Sequence, residues 1–137
     1  MMATHTNKDS KNVMHIIKPN TVGAEIGVWM GNTSTQFLKK GLKKFYMIDS
    51  YSVEPYKENS EMSYQEYLAK YQPITGEIAE AGFQKFYDRV FNEVTTRFAT
   101  VEEAEICRMT SDEWFESMMA SKGHGNKEML DWIYVDG

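Results

Sequence analysis

The sequence predicts an α/β fold: an open sheet of parallel strands with helices wound onto both faces. Three observations carry this prediction. The segment Val22-Gly23-Ala24-Glu25-Ile26-Gly27-Val28-Trp29-Met30-Gly31-Asn32-Thr33-Ser34 reads as a buried strand ending in an acidic residue and a glycine turn, then entering a helix. Lys44-Phe45-Tyr46-Met47-Ile48-Asp49-Ser50 reads as a second short apolar strand, closed by a carboxylate. The run Leu130-Asp131-Trp132-Ile133-Tyr134-Val135 is a further strand, ending in Asp136-Gly137. Stretches of helical periodicity separate these strands, and strands alternating with helices build a parallel sheet.

Each element has a local reason. Residues 1–11 are polar and predict a frayed arm; 11–18 predict a short helix, which Pro19-Asn20 ends. Strand one is placed at 22–28. Asn32, Thr33 and Ser34 offer capping oxygens, and Phe37, Leu38 and Leu42 form the apolar stripe of a helix reaching to about Gly41. Strand two spans 45–48. The following 50–100 stretch is longer than a crossover with one helix requires, so it is divided into a helical insertion at 51–80 and a helix. The insertion has Tyr64, Tyr67, Leu68 and Tyr71 at helical spacing, which suits either a flap packed over the sheet or a lid that encloses a ligand with Tyr51 and Tyr56. From 82 to 98, Phe83, Phe86, Tyr87, Val90, Phe91 and Val94 share one face and predict a crossover helix whose stripe is core.

Strand three is placed at 105–109. Thr110 or Ser111 is a natural N-cap for the next helix, Asp112 and Glu113 suit its positive end, and Phe115, Met118 and Met119 continue it. The glycine-flanked His124 lies in a turn that breaks this helix. Strand four, 130–135, is apolar on both faces, which predicts helices on both sides and neighbouring strands. Ending there leaves a hydrophobic edge, so the expectation is one incomplete domain, 1–137, forming the N-terminal part of a longer protein.

Composition narrows the function classes. With 42% hydrophobic and 13% aromatic residues the chain is globular. A net charge of -5 argues against a nucleic-acid polyanion, which needs a basic face, and favours a small molecule. The single cysteine, Cys107, excludes an internal disulfide framework and fits a reducing cytoplasm; its apolar surroundings predict a buried structural thiol. Neither a secretory h-region nor an apolar run of roughly 20 residues is visible, so no membrane association is expected. His5 and His15 have no second ligand at metal-binding spacing, and the ten methionines read as packing filler.

The glycine turn is the predicted ligand site, because ligands of open α/β sheets sit at the carboxyl ends of the strands and glycine permits close backbone approach. A dinucleotide fingerprint, G-x-G-x-x-G, is absent; the spacing here is Glu25-x-Gly27-x-Trp29-x-Gly31. This pattern resembles motif I of class I S-adenosylmethionine-dependent methyltransferases, E/D-x-G-x-G-x-G, with Trp29 in place of the middle glycine. The E-I-G-V-x-x-G form is similar to the macrocin O-methyltransferase-like group of small-molecule enzymes. Asp49 follows roughly 20 residues after the turn, where a carboxylate accepts ribose hydroxyls; the competing reading is a cap on the following turn.

The resemblance implies a Rossmann-like doubly wound sheet of seven strands, 3-2-1-4-5-7-6, of which this chain supplies the 3-2-1-4 half. It implies S-adenosylmethionine as cofactor and methylation of a hydroxyl on a small molecule or sugar. Gly27 and Gly31 would approach the methionine portion, with Val28, Trp29 and Thr33 in the same cofactor-binding stretch, while Glu25 organises the turn and meets the amino group indirectly. Asp49 would hold the ribose, with Ser50 and Tyr51 beside it, and Thr110, Ser111 and Asp112 cover the adenine-contacting position, though capping explains these three nearly as well. Asp136 would point into the active site and is the candidate ligand for Mg²⁺, as in catechol O-methyltransferase-like enzymes. Two other classes stay open: an NAD-dependent oxidoreductase, and a non-catalytic nucleotide-binding fragment.

Overall fold

The computed structural model describes residues 13–56, 65, 66, 69, 72, 80–122 and 129–136. The polar arm, His5, the tyrosines Tyr64, Tyr67 and Tyr71 with Leu68, the His124 turn and Gly137 lie outside the described residues. Within them, four strands form one parallel sheet: β1 (Val22–Ile26), β2 (Lys44–Asp49), β3 (Ala104–Arg108) and β4 (Trp132–Val135), in the order β3-β2-β1-β4. This is a Rossmann-like arrangement with the strand order expected from the sequence. In register, Ala24 lies between Tyr46 and Ile133, and Glu25 between Met47 and Tyr134. The order reverses at β1, and the crevice outside the carboxyl ends at such a reversal is where open α/β sheets hold ligands.

The period of two along each strand sends alternate side chains to opposite faces, and each face has its own core. Helices α1 (Asn32–Leu38) and α2 (Glu80–Arg97) cover the first face, where Phe37, Phe45, Met47, Tyr51, Phe86, Tyr87, Val90, Val94 and Phe98 are buried together. Helix α3 (Ser111–Lys122) covers the second, where Trp114 packs with Val22, Ala24, Tyr46, Ile48 and Cys107. From Phe86 to Val94 the crossover stripe read from the sequence is therefore core, and the Cys107 thiol is buried, with desolvation first among the causes that push it up to about 12.

Several boundaries differ from expectation for local reasons. The predicted 11–18 helix is, among the described residues, a single turn at 13–16 in which the Ile16 amide donates to the Val13 carbonyl. Strand β1 stops at Ile26 because Gly27 leaves extended geometry at φ 90°. Helix α1 ends at Leu38, three residues before the predicted limit; the Lys40 and Gly41 amides close a tighter turn onto Phe37 and Leu38, and Gly41 exits at φ 72°. Strand β4 is covered on one face only. Trp132 and Tyr134 pack on Phe37, whereas Ile133 and Val135 remain 41% and 66% exposed, because Trp114 seats α3 over Tyr46 of β2 on that side of the sheet. No described helix is long and apolar enough to cross a membrane.

Candidate functional site

Glu25 lies on the α1 face of β1 and is fully buried. Its Oε1 accepts a 2.5 Å hydrogen bond from the Ser34 hydroxyl in α1, and its Oε2 has no partner. Burial raises its pKa to about 8 against the opposing hydrogen bond from Ser34, and the nearby carboxylates of Asp136 and Asp49 push it further the same way. At neutral pH this side chain carries its proton.

Beyond Glu25 the chain makes a left-handed turn three times at alternate residues: Gly27 at φ 90°, Trp29 at φ 55° and Gly31 at φ 83°. The motif's glycine positions thus coincide with the backbone geometry that demands glycine, and Trp29 adopts the same geometry at a cost of about 1–3 kcal/mol. Surrounding contacts hold it there. The Trp29 amide donates to Asp49 Oδ2 at 3.0 Å, and its carbonyl accepts from the Tyr51 hydroxyl at 2.5 Å. Its indole packs against Phe86 and Tyr87 of α2, each ring 5.7 Å away, which leaves the indole N–H buried without an acceptor. Val28 turns its side chain into the core, so only its backbone faces the turn.

Asp49 realises the capping alternative and keeps capacity for the other. Oδ2 accepts from Trp29 and Oδ1 accepts from the Tyr51 amide at 2.9 Å, the i to i+2 bond of an Asx turn. A carboxylate offers about four lone-pair sites, and with three amides donating to it Asp49 retains room to accept a ligand hydroxyl. Desolvation holds its pKa above the usual carboxylate value, although the amides of Trp29, Tyr51 and Val28 pull the other way. Ser50 is half-buried beside it. Tyr51, expected at the lid, is instead 1% exposed within the core, and burial raises its phenol above the ordinary value, which keeps it a donor.

The capping role expected of Asn32, Thr33 and Ser34 is not found. The N-cap is Gly31, whose lack of a side chain leaves no cap hydrogen bond; Ser34 turns to Glu25, and Thr33 is buried. Arg97, at the end of α2, supplies the missing link by donating to the Met30 carbonyl at 3.0 Å and the Thr35 hydroxyl at 2.6 Å. At the far side of the sheet, Thr110 caps α3 in a reciprocal box with Glu113: the Glu113 amide donates to Thr110 Oγ1 at 3.2 Å and the Thr110 amide to Glu113 Oε1 at 3.0 Å. Ser111 is the first helical residue and Asp112 is exposed beside it. Asp136 closes β4, half-buried, where its charge reaches Glu25.

Glu25, Gly27, Trp29, Gly31, Asp49, Tyr51 and Asp136 are therefore gathered at the carboxyl ends of β1, β2 and β4, whereas Thr110–Asp112 sit at the end of β3. Sequence reasoning missed Ser34, Gln84, Asp88, Arg97 and Arg108 as partners of the turn; of these only Arg108 had a local signal, the one cation of β3, at its carboxyl end. Among the described residues no group of three or more His, Cys, Asp or Glu side chains is placed to hold a metal ion. A recess of about 190 Å³ beside the turn, lined by Met30, Asn32, Val90, Glu93, Val94 and Arg97, is smaller than the roughly 300 Å³ at which small-molecule sites begin.

The buried acids set a pH dependence. Between the ordinary value of 4.5 and about 8, native Glu25 holds a proton that the unfolded chain has released, so its contribution to stability is complete below 4.5 and is lost as pH rises through 8. Asp49, also raised, acts in the same sense; Asp88 and Glu113, held low by their hydrogen bonds, act oppositely and only in more acidic solution. Thermal midpoints should therefore fall for the wild type across this window relative to Glu25→Gln, which has no proton to lose. Parallel curves for the two proteins would contradict the neutral-carboxyl assignment.

No family model, curated protein or solved structure matches the chain.

Proposed function

We propose that this chain binds S-adenosylmethionine at the glycine turn and serves the transfer of its methyl group to a hydroxyl of a small molecule or sugar. The observation that carries the reading is the pairing of a thrice left-handed turn after β1 with a carboxylate ending β2 that keeps room to accept a ligand hydroxyl. The orphaned Glu25 Oε2, buried beneath the same turn, is a second polar atom in want of a partner. The Asp49 carboxylate fits a ligand that presents a hydroxyl, and Glu25, protonated and fully buried, would meet an amino group only indirectly.

In this reading Gly27 and Gly31 let the backbone approach the methionine portion, and Asp49 accepts the ribose hydroxyls. Glu25 and Ser34 fix the turn from below, Tyr51 and Asp49 keep the carbonyl and amide of Trp29 in place, and Thr110, Ser111 and Asp112 lie toward the adenine end. The bound cofactor supplies an electron-poor methyl on sulfonium, open to in-line attack by an acceptor oxygen. The protein's work is alignment. The described residues do not fit a divalent cation, so the proposal contains no metal step.

Titration calorimetry of the full chain with S-adenosylmethionine, S-adenosylhomocysteine and NAD tests the reading. Saturable heats with the first two and none with NAD are expected. Binding of NAD alone would move the function to nicotinamide chemistry, and binding of none of the three would remove the cofactor assignment.

A further inference from the structure

The segment that follows β2 is clamped by residues that belong to neither the glycine turn nor the strand ends already assigned. Tyr51 is a non-glycine residue in left-handed geometry, φ 46°, which an unsupported chain would not adopt. Its carbonyl accepts two hydrogen bonds, from Arg108 Nη2 at 3.0 Å and from Gln84 Nε2 at 3.1 Å. Gln84 also receives the Val53 amide on Oε1 at 3.2 Å, so one side chain of α2 holds both ends of the segment. Asp88 accepts from Gln84 at 3.0 Å and pairs with Arg108, and the Arg108 guanidinium lies 4.6 Å above the Phe91 ring. The carbonyl of Tyr51 is thereby fixed in direction. With the carbonyl and amide of Tyr51 both tethered, its phenol donates to the Trp29 carbonyl, on the glycine turn.

We infer that Arg108 and Gln84 are positioning residues for the glycine turn, acting through Tyr51 rather than by touching a ligand. The chain of contacts runs from Asp88 to Arg108 and Gln84, to the Tyr51 carbonyl, through the Tyr51 phenol to Trp29. Trp29 explains why such a relay is needed. A glycine at this position would hold its left-handed geometry without help, whereas tryptophan requires outside restraint, and the restraints on its backbone come from Asp49 and Tyr51. Helix α2 also supplies Phe86 and Tyr87 for the indole, so the geometry of the turn depends on how α2 and the end of β3 are seated. The significance of this relay for cofactor affinity rests on the proposed function; the relay itself does not.

The ion pair at its outer end is one-third to one-half exposed, and pairs so exposed contribute little to stability, which makes its removal a clean perturbation. The test is the ¹⁵N indole spectrum of the full chain in Arg108→Ala, Gln84→Ala, Asp88→Asn and Tyr51→Phe, with the Trp29 signal assigned by Trp29→Phe. The three indoles sit in separate surroundings: Trp132 donates to Thr21 at 3.1 Å and Trp114 packs on Tyr46 across the sheet. The expected result is a shift of the Trp29 signal alone, and no further shift when Arg108→Ala is added to Tyr51→Phe. An unmoved Trp29 signal in Arg108→Ala, or all three signals moving together, would overturn the relay. In the same variants the affinity for S-adenosylhomocysteine should fall by on the order of tenfold. A wild type that ignores that ligand sinks the cofactor reading, while the indole shifts still decide the relay.

Discussion

Gly23→Ala is expected to lower the stability of the fold by about 3 kcal/mol, although it adds a single methyl group. The Trp132 ring lies directly over the Gly23 backbone, so that a Cβ would stand 2.0 Å from Cζ2 and 2.1 Å from Cε2. The ring cannot retreat cheaply. Its Nε1 donates to Thr21, and Phe37 and Phe45 hold its centroid at 5.0 and 5.8 Å. Displacing it would also disturb the pairing of Gly23 with Trp132 that joins β4 to the sheet. Urea denaturation checks this: the midpoint should drop, and a smaller residue in place of Trp132 should restore part of the loss. A Gly23→Ala protein unfolding at the wild-type midpoint would show that the indole does not rest there.

The second large effect is expected at Asp49, where one substitution should register in two independent measurements. Asp49→Ala leaves the Trp29 and Tyr51 amides without their acceptor, at about 1–3 kcal/mol for each buried group so orphaned. It also removes the carboxylate proposed to hold the ribose, which should weaken S-adenosylhomocysteine by on the order of 1–3 kcal/mol when measured well below the variant's melting temperature. Asp49→Asn keeps one acceptor oxygen and should lose less stability than Asp49→Ala. Unchanged stability would refute the amide bonds; unchanged affinity would refute the ribose assignment while leaving the bonds intact.

Asp49 illustrates how far the sequence could be read. Its position at the end of an apolar run, at the right interval after a glycine turn, was legible because both signals are local: periodicity of two, then a carboxylate. The strand order and the division of helices between faces followed from the 3-2-1-4 expectation, and the crossover stripe at 86–94 was visible because its apolar residues repeat at the helical period. The helix start at residue 32 was misread for an equally local reason. Asn, Thr and Ser are good caps anywhere, yet Gly31 takes the cap position because the chain must bend left-handed there, and the freed hydroxyl of Ser34 serves a buried carboxyl nine residues earlier.

What the sequence determined by itself was therefore the kind of fold, the place of the turn and the identity of the acids beside it, since each is written in spacing within a few neighbouring residues. Tertiary structure alone decided how those acids are charged and how the turn is held. Glu25 is neutral because two layers of structure remove it from water, and Tyr51 is a buried strut because Gln84 and Arg108 reach it from 33 and 57 residues away. Desolvation and long-range hydrogen bonding depend on what folds against a residue, and no local pattern carries that information.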